Sequence, residues 1–278
     1  MKSPSLDVLL VGATGSIGEL VTLEALKAGH RVRALVRSAR KGRRLPAGVT
    51  CHIGDVTEPE TLTQAVSGVE AIIITLGSDG FGKQGAKAVD YGGVRNILTA
   101  LGDRTPRLAL MTAIGVTDRV GDDNRRTHAH DWKRRAERLL RVSGLDYTIV
   151  RPGWFDDNGI DDMMPLFLQG DRRHAGDPSD GTVARQTIAR VLVDSLTNPA
   201  ASRKTFELVS AYGLEPVDLT PLFAGLKPDR IEALDGVEDL DNQPLSGEPW
   251  EVANELAAEA GRGRERRMLA GQLVQSPL

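Results

Sequence analysis

The chain has 278 residues, 40% of them hydrophobic, 26% charged and 4% aromatic, with a single cysteine: the profile of an ordinary globular protein. Thirty-five Lys and Arg against 38 Asp and Glu leave a formal charge of -3, too balanced for a dedicated nucleic-acid or anionic-membrane binder. Cys51 stands alone, which excludes an intramolecular disulfide and a Cys-rich zinc site; no stretch reads as a membrane span or a secretion signal, so a reducing cytoplasm is the expected location.

Leu6 to Val11 (LDVLLV) is a short β-rich run that breaks at Gly12 into GATGSIG, after which Leu20, Val21, Leu23 and Leu26 keep helical spacing. Gly29 stops that helix and Arg31 to Val36 forms a second strand, completing a βαβ unit. Further strands are expected at Val49 to Ile53, Ala71 to Thr75, Leu108 to Met111, Tyr147 to Val150 and Thr205 to Val209. Four of the five are short and nearly wholly apolar, as parallel strands covered on both faces are. Helices are expected over Glu60 to Val66, Ala86 to Leu101 and Asp131 to Val142. In the last, Trp132, Ala136, Leu139 and Leu140 form a docking stripe, while Arg134, Arg138 and Arg141 form a second stripe expected to face water.

The alternation specifies an α/β fold with a doubly wound parallel sheet, the Rossmann fold, over residues 1–225, with a substrate-side insertion at about 154–181. Within it, Trp154 to His174, with Met163, Met164, Leu166 and Phe167, reads as a packed helix or a substrate lid, and Gly80 to Gly85 as a second, flexible wall. After Leu226 the sequence turns acidic and turn-rich, so 226–278 is read as a loop-rich and helical extension, with a helix over Pro249 to Ala260 stopped by Gly261. Packing of this extension on the sheet or on a second copy of the chain, a homodimer, both stay open.

Gly12, Gly15 and Gly18, between strand and helix, form a turn whose backbone N–H groups face a pyrophosphate. Thr14, Ser16 and the amide of Ile17 add donors. The second strand ends in Ala34-Leu35-Val36-Arg37-Ser38, without the carboxylate that usually holds unphosphorylated ribose hydroxyls. Arg37, with Ser38 and Arg40, would meet a 2′-phosphate through charge-assisted bonds, so NADP(H) is preferred over NAD(H); a solvated basic turn is the competing reading. Asp55-Val56 is an adenine bracket or a cap before Glu58.

Together GATGSIG, ALVRS, GDVT, VDYGGVRNIL and above all SGLDYTIVRPG (Ser143 to Gly153) make the chain resemble the atypical short-chain dehydrogenase/reductases that bind NAD(P)H, including flavin/biliverdin-IXβ-reductase-like and NmrA-like proteins, over about residues 6–210. The resemblance implies that Gly12 to Gly18 hold the pyrophosphate and Arg37 the adenosine phosphate. It further implies that Asp55 and Val56 hold the adenine, the loop from Thr75 through Gly77 the nicotinamide ribose, and Arg151-Pro152-Gly153 the nicotinamide. Thr112 matches the family's catalytic Ser/Thr and Lys133 its lysine, but the tyrosine position holds Ala129. That tyrosine gives the proton to a substrate carbonyl, so its loss disfavours sugar epimerisation and alcohol dehydrogenation.

Acceptors whose reduced anion is already stabilised, such as flavins, quinones or enones, survive the loss, because the cofactor supplies the hydride and the protein the orientation. Replacement donors are His130, with His128 and Asp131 beside it, and Tyr91; the two histidines lack a third metal ligand of recognisable spacing. Lys133 contacts the ribose or pairs with Glu137, and Arg151 is equally a buried ion-pair partner. The chain is thus expected to be an NADP(H)-dependent oxidoreductase acting on a small-molecule acceptor, with neither nucleic acid nor membrane as partner. The alternative is a non-catalytic NADP(H)-binding redox sensor acting through protein partners.

Overall fold

The computed structural model describes residues 4–78 and 82–271. Strands β1 (Asp7–Val11), β2 (Arg31–Val36), β3 (Thr50–Ile53), β4 (Ala71–Ile74), β5 (Arg107–Met111) and β6 (Tyr147–Pro152) fall where the apolar runs place them. With β8 (Met164–Leu168) and β10 (Lys204–Ala211) they form one sheet, ordered β3-β2-β1-β4-β5-β6-β10-β8. All neighbours pair in parallel except β8, which runs antiparallel to β10. A small second sheet pairs β7 (Trp154–Phe155) with β9 (Thr182–Val183).

Helices α1 (Ser16–Lys27), the one-turn α2 (Ala39–Gly42) and α3 (Gly82–Gly85), α4 (Gly92–Leu101), α5 (Asp122–Thr127), α6 (Ala129–Val142), α7 (Arg185–Thr197), α8 (Thr220–Gly225) and α9 (Trp250–Leu269) complete the chain. One face of the sheet is covered by α4, α6 and α9, the other by α1, α7 and α8. Ile72, Ile73 and Ile74 of β4 are fully buried between the two layers, each burial stabilising the fold by about 1.5–3 kcal/mol. Among the described residues no helix is long and apolar enough to cross a membrane.

Several expectations are corrected. Glu60 to Val66 holds only a 3₁₀ turn at Pro59–Thr61 followed by further turns, because Pro59 and Gly68 bound a stretch too short for a stable helix. Trp154 to His174 is not a packed helix: its apolar stripe is the strand β8, whose Phe167 stacks on Phe206 of β10 at 4.3 Å. Gly261 does not stop the last helix, which runs through it to Leu269. Gly82 to Gly85 are helical and lead into a π-helical turn, Ala86–Tyr91, while Gly80 and Phe81 lie outside the described residues.

The largest correction concerns α6, whose arginines do not face water. Arg134, Arg138 and Arg141 are at most 3% exposed. The acidic segment between α8 and α9 runs across them as a strap and neutralises them. Asp235 pairs with Arg134 at 2.8 Å and Arg138 at 2.7 Å, Glu248 with Arg135 at 2.7 Å and Arg138 at 2.9 Å, and Asp229 with Arg141 at 3.2 Å. Arg151 of β6, fully buried, binds Glu137 at 2.7 Å, Glu207 of β10 at 3.1 Å and Asp239 of the strap at 2.7 Å. A buried ion is tolerated only when its charge and hydrogen bonds are met, which ties the strap to the domain far more tightly than its turn-rich composition suggests.

Asp239→Ala strips the bidentate partner from a buried guanidinium and is expected to cost about 3–5 kcal/mol in urea unfolding; a loss below about 1 kcal/mol would contradict the network. Burial pushes the Glu207 carboxyl up to about 7, so the folded chain keeps a proton that the unfolded chain releases above its ordinary value of 4.5. This group's contribution to stability therefore falls as pH rises from about 4.5 to 7. Glu207→Gln should remove that fall, gaining on wild type in unfolding free energy between pH 5 and 8; parallel curves would refute it.

Candidate active site

The strand order reverses direction between β1 and β4, and at that switch point the loop after β1 opens at the carboxyl ends of the strands. Its glycines are required by contact. Gly12 has φ +97°, and a Cβ there would lie 2.7 Å from Thr75 Oγ1. At Gly18 a Cβ would lie 2.0 Å from the carbonyl oxygen of Gly12. The Gly15 amide closes the turn onto that carbonyl at 3.0 Å, and the amides of Ser16, Ile17 and Gly18 open α1, where a helix leaves N–H groups without internal acceptors. This cradle of bare amides at a positive helix end fits a pyrophosphate.

Gly12, Thr14, Gly15, Arg37, Asp55, Val56, Thr75 and Gly77 line one cleft of about 250 Å³ above this turn, and Lys41 of α2 joins them. Arg37 is exposed at its rim and forms no ion pair among the described residues. Ser38, by contrast, is turned to its own backbone, where its hydroxyl accepts from the Lys41 amide and caps α2. Ile17 is a core residue and contributes only its amide. One Asp55 oxygen accepts from the amide and hydroxyl of Thr57 at 2.9 and 2.8 Å, so this carboxylate both caps a turn and faces the cleft.

The expected catalytic set is not brought together. Thr112 donates its hydroxyl to Glu137 at 2.6 Å inside the buried network. Lys133 pairs with Asp90 at 3.0 Å rather than with Glu137, and Asp90 also accepts from Ser78. Tyr91 is buried against Trp132 with its hydroxyl on Glu255, and burial and that carboxylate push its pKa far up. Arg151 takes the ion-pair role and is fully buried.

His130, Pro152 and Gly153 do converge, on a second and larger cavity of about 570 Å³ beyond the ends of β5 and β6. Gly153 is fixed there by a close approach, since a Cβ would lie 2.3 Å from the Gly181 carbonyl. Ile114, Trp154 and Phe155 supply apolar walls, and the Nδ1 of His130 is buried without a partner among the described residues. The same cavity holds His174, which the sequence reading named only as the end of the supposed lid. Its Nε2 lies 3.1 Å from Thr117 Oγ1 and 3.7 Å from the Asp171 carboxylate. Asp171 in turn accepts the amides of Gly115 at 2.6 Å and Thr117 at 2.7 Å. Burial works to raise its carboxyl, but His174, Arg151 and those amides outweigh it and hold the group below the usual range. Asp171 lifts the His174 imidazole above its ordinary value against the opposing effect of burial.

The profile of the NAD(P)H-binding family matches residues 12–199. A protein of Bacillus subtilis named as an uncharacterized sugar epimerase, YhfK, is 29% identical over 73% of this chain and 94% of its own. Sanguinarine reductase of Eschscholzia californica is 28% identical over 75% of this chain and 90% of its own. Among solved structures, a short-chain dehydrogenase/reductase from Veillonella parvula in complex with NADP superposes with a TM-score of 0.57 at 19% identity, covering 76% of this chain and 99% of that one.

Gly18→Ala should drive the first turn of α1 away from Gly12, raising the dissociation constant for dinucleotide more than about tenfold while costing about 1–3 kcal/mol of stability. Unchanged dinucleotide affinity by fluorescence titration would show that the cradle is not the binding site.

Proposed function

Because the chain belongs to the NAD(P)H-binding family, we propose that it is an NADP(H)-dependent oxidoreductase that transfers hydride to a small conjugated acceptor of the flavin, quinone or enone class. The observation that carries this reading is the 570 Å³ cavity with aromatic and apolar walls at the same edge of the sheet as the glycine cradle. The preference for NADP(H) rests on Arg37 and Lys41, two cations on the cleft wall without carboxylate partners among the described residues, and the NADP-bound relative is consistent with it. The sanguinarine reductase relative supports the direction of the chemistry.

When bound, the reduced nicotinamide supplies a hydride equivalent; the chain's residues do the rest. The amides of Ser16 to Gly18 hold the pyrophosphate and Arg37 the 2′-phosphate. Thr75, Gly77 and Val56 line the middle of the cleft. Pro152 and Gly153, rigidly placed by β6 and the Gly181 contact, form the wall against which the acceptor is set, with Trp154 as a 41% exposed indole available for stacking on a planar ring.

Titration with NADPH and NADH, followed by flavins, quinones and enones with the reduced cofactor monitored by absorbance, tests the reading. NADPH is expected to bind more tightly and to be oxidised with at least one acceptor. Arg37→Ala should weaken NADPH about 10- to 100-fold, the worth of one charged hydrogen-bonded contact, and NADH less than about threefold. Equal losses would remove the 2′-phosphate assignment, and tight binding without turnover across the panel would replace the enzyme by a sensor.

A further inference from the structure

No tyrosine is among the residues that line the larger cavity, yet it is not without an acid. We propose that His174, held by Asp171 and Thr117, is the general acid that protonates the acceptor in this cavity, a reading that rests on the oxidoreductase assignment and adds a catalytic residue to it. His174 lines the cavity wall. Its Nε2 is engaged by the Thr117 hydroxyl and the Asp171 carboxylate, which leaves Nδ1 as the ring nitrogen without a protein partner among the described residues. Asp171 is itself immobilised: it is fully buried, both oxygens accept backbone amides, and its own amide donates to Glu207 at 3.0 Å. An imidazole on a chamber wall, with an orienting carboxylate at one nitrogen and the other without a protein partner among the described residues, is the arrangement that proton transfer requires.

The other charged groups around the ring are Asp118 on the loop after β5, Asp122, Asp123 and Arg126 on α5, His130 on α6 and Asp180 before β9. Arg126 is paired with Asp123, and both oxygens of Asp180 are taken by the amides of Ala175 and Gly176, so Asp118 and Asp171 dominate and favour the imidazolium. Behind Asp171, Arg151 is neutralised by Glu137 and Asp239. The step balances simply. A neutral acceptor that gains a hydride, two electrons with one hydrogen nucleus, is left as an anion, while the dinucleotide is oxidised by the same two electrons. The imidazolium N–H bond breaks, the proton passes to that anion, and the neutral ring recovers a proton from water. A cationic acceptor such as a quaternary iminium becomes neutral on gaining the hydride and needs no acid.

The test has two readouts. In the NADP⁺ complex without acceptor, the His174 ring followed by NMR should titrate above its ordinary value of 6.5, and Asp171→Asn should lower it. Titration at or below that value overturns the proposal. In turnover, the rate on a neutral enone relative to a quaternary iminium should fall about a hundredfold in His174→Gln, and the wild-type decline in enone turnover as pH passes the imidazole titration should vanish. An unchanged ratio, or the same fall in His130→Gln instead, overturns His174 but leaves the oxidoreductase standing. If NADPH binds and wild type turns over neither acceptor, the oxidoreductase reading fails and takes this one with it.

Discussion

The burial of Arg151 is the constraint on which the rest of the architecture turns. A guanidinium in the middle of a parallel strand, with no water to hydrate it, demands several acceptors, and here they come from Glu137 on α6, Glu207 on β10 and Asp239 on the strap. Each of these acceptors is committed elsewhere as well. Glu137 also holds Arg141 and Thr112, Glu207 fixes the Asp171 amide, and Asp239 accepts the Gly236 amide. One cation thereby fastens the sheet, the helix that flanks it, the C-terminal strap and the loop that carries His174. Pro152 and Gly153 follow Arg151 directly in sequence, so the floor of the larger cavity is anchored at the same point.

The price in desolvation is large, and an apolar core of the same volume would be as stable or more so. What the ionic core contributes is geometry: bidentate and shared hydrogen bonds define angles that packed aliphatic side chains do not. The consequence is a division between two halves of the ligand-binding edge. The dinucleotide half, around the glycine turn, is shaped by backbone and by close approaches at Gly12 and Gly18. The half around the larger cavity is shaped by side chains that the strap holds in place from behind.

The first half was legible in the sequence because its signals are local. The GATGSIG turn, the apolar strands and the absence of a carboxylate after β2 can each be read within a dozen residues. The second half was not, because its determinants meet only in three dimensions. Arginines at 134, 138 and 141 on one helix look like a solvated face unless one knows that Asp229, Asp235 and Glu248, about a hundred residues on, lie across them. The stretch containing Met164, Leu166 and Phe167 carries an apolar pattern too short to distinguish a strand from a helix, and antiparallel pairing with β10 decides it. Thr112 and Lys133 match the reductase pattern in spacing, and in the fold they bond Glu137 and Asp90, partners that spacing does not announce. Asp171 and His174 sit in irregular chain between β8 and β9, where no periodicity marks them.

The account stands or falls on where the nicotinamide lies relative to the larger cavity, and a crystal structure of the NADPH complex tests it directly. It predicts the pyrophosphate on the amides of Ser16 to Gly18, the 2′-phosphate beside Arg37, and the nicotinamide ring opening into the chamber between Ile114 and Gly153. A dinucleotide whose nicotinamide points away from that chamber, or whose 2′-phosphate stands free in solvent, would contradict it.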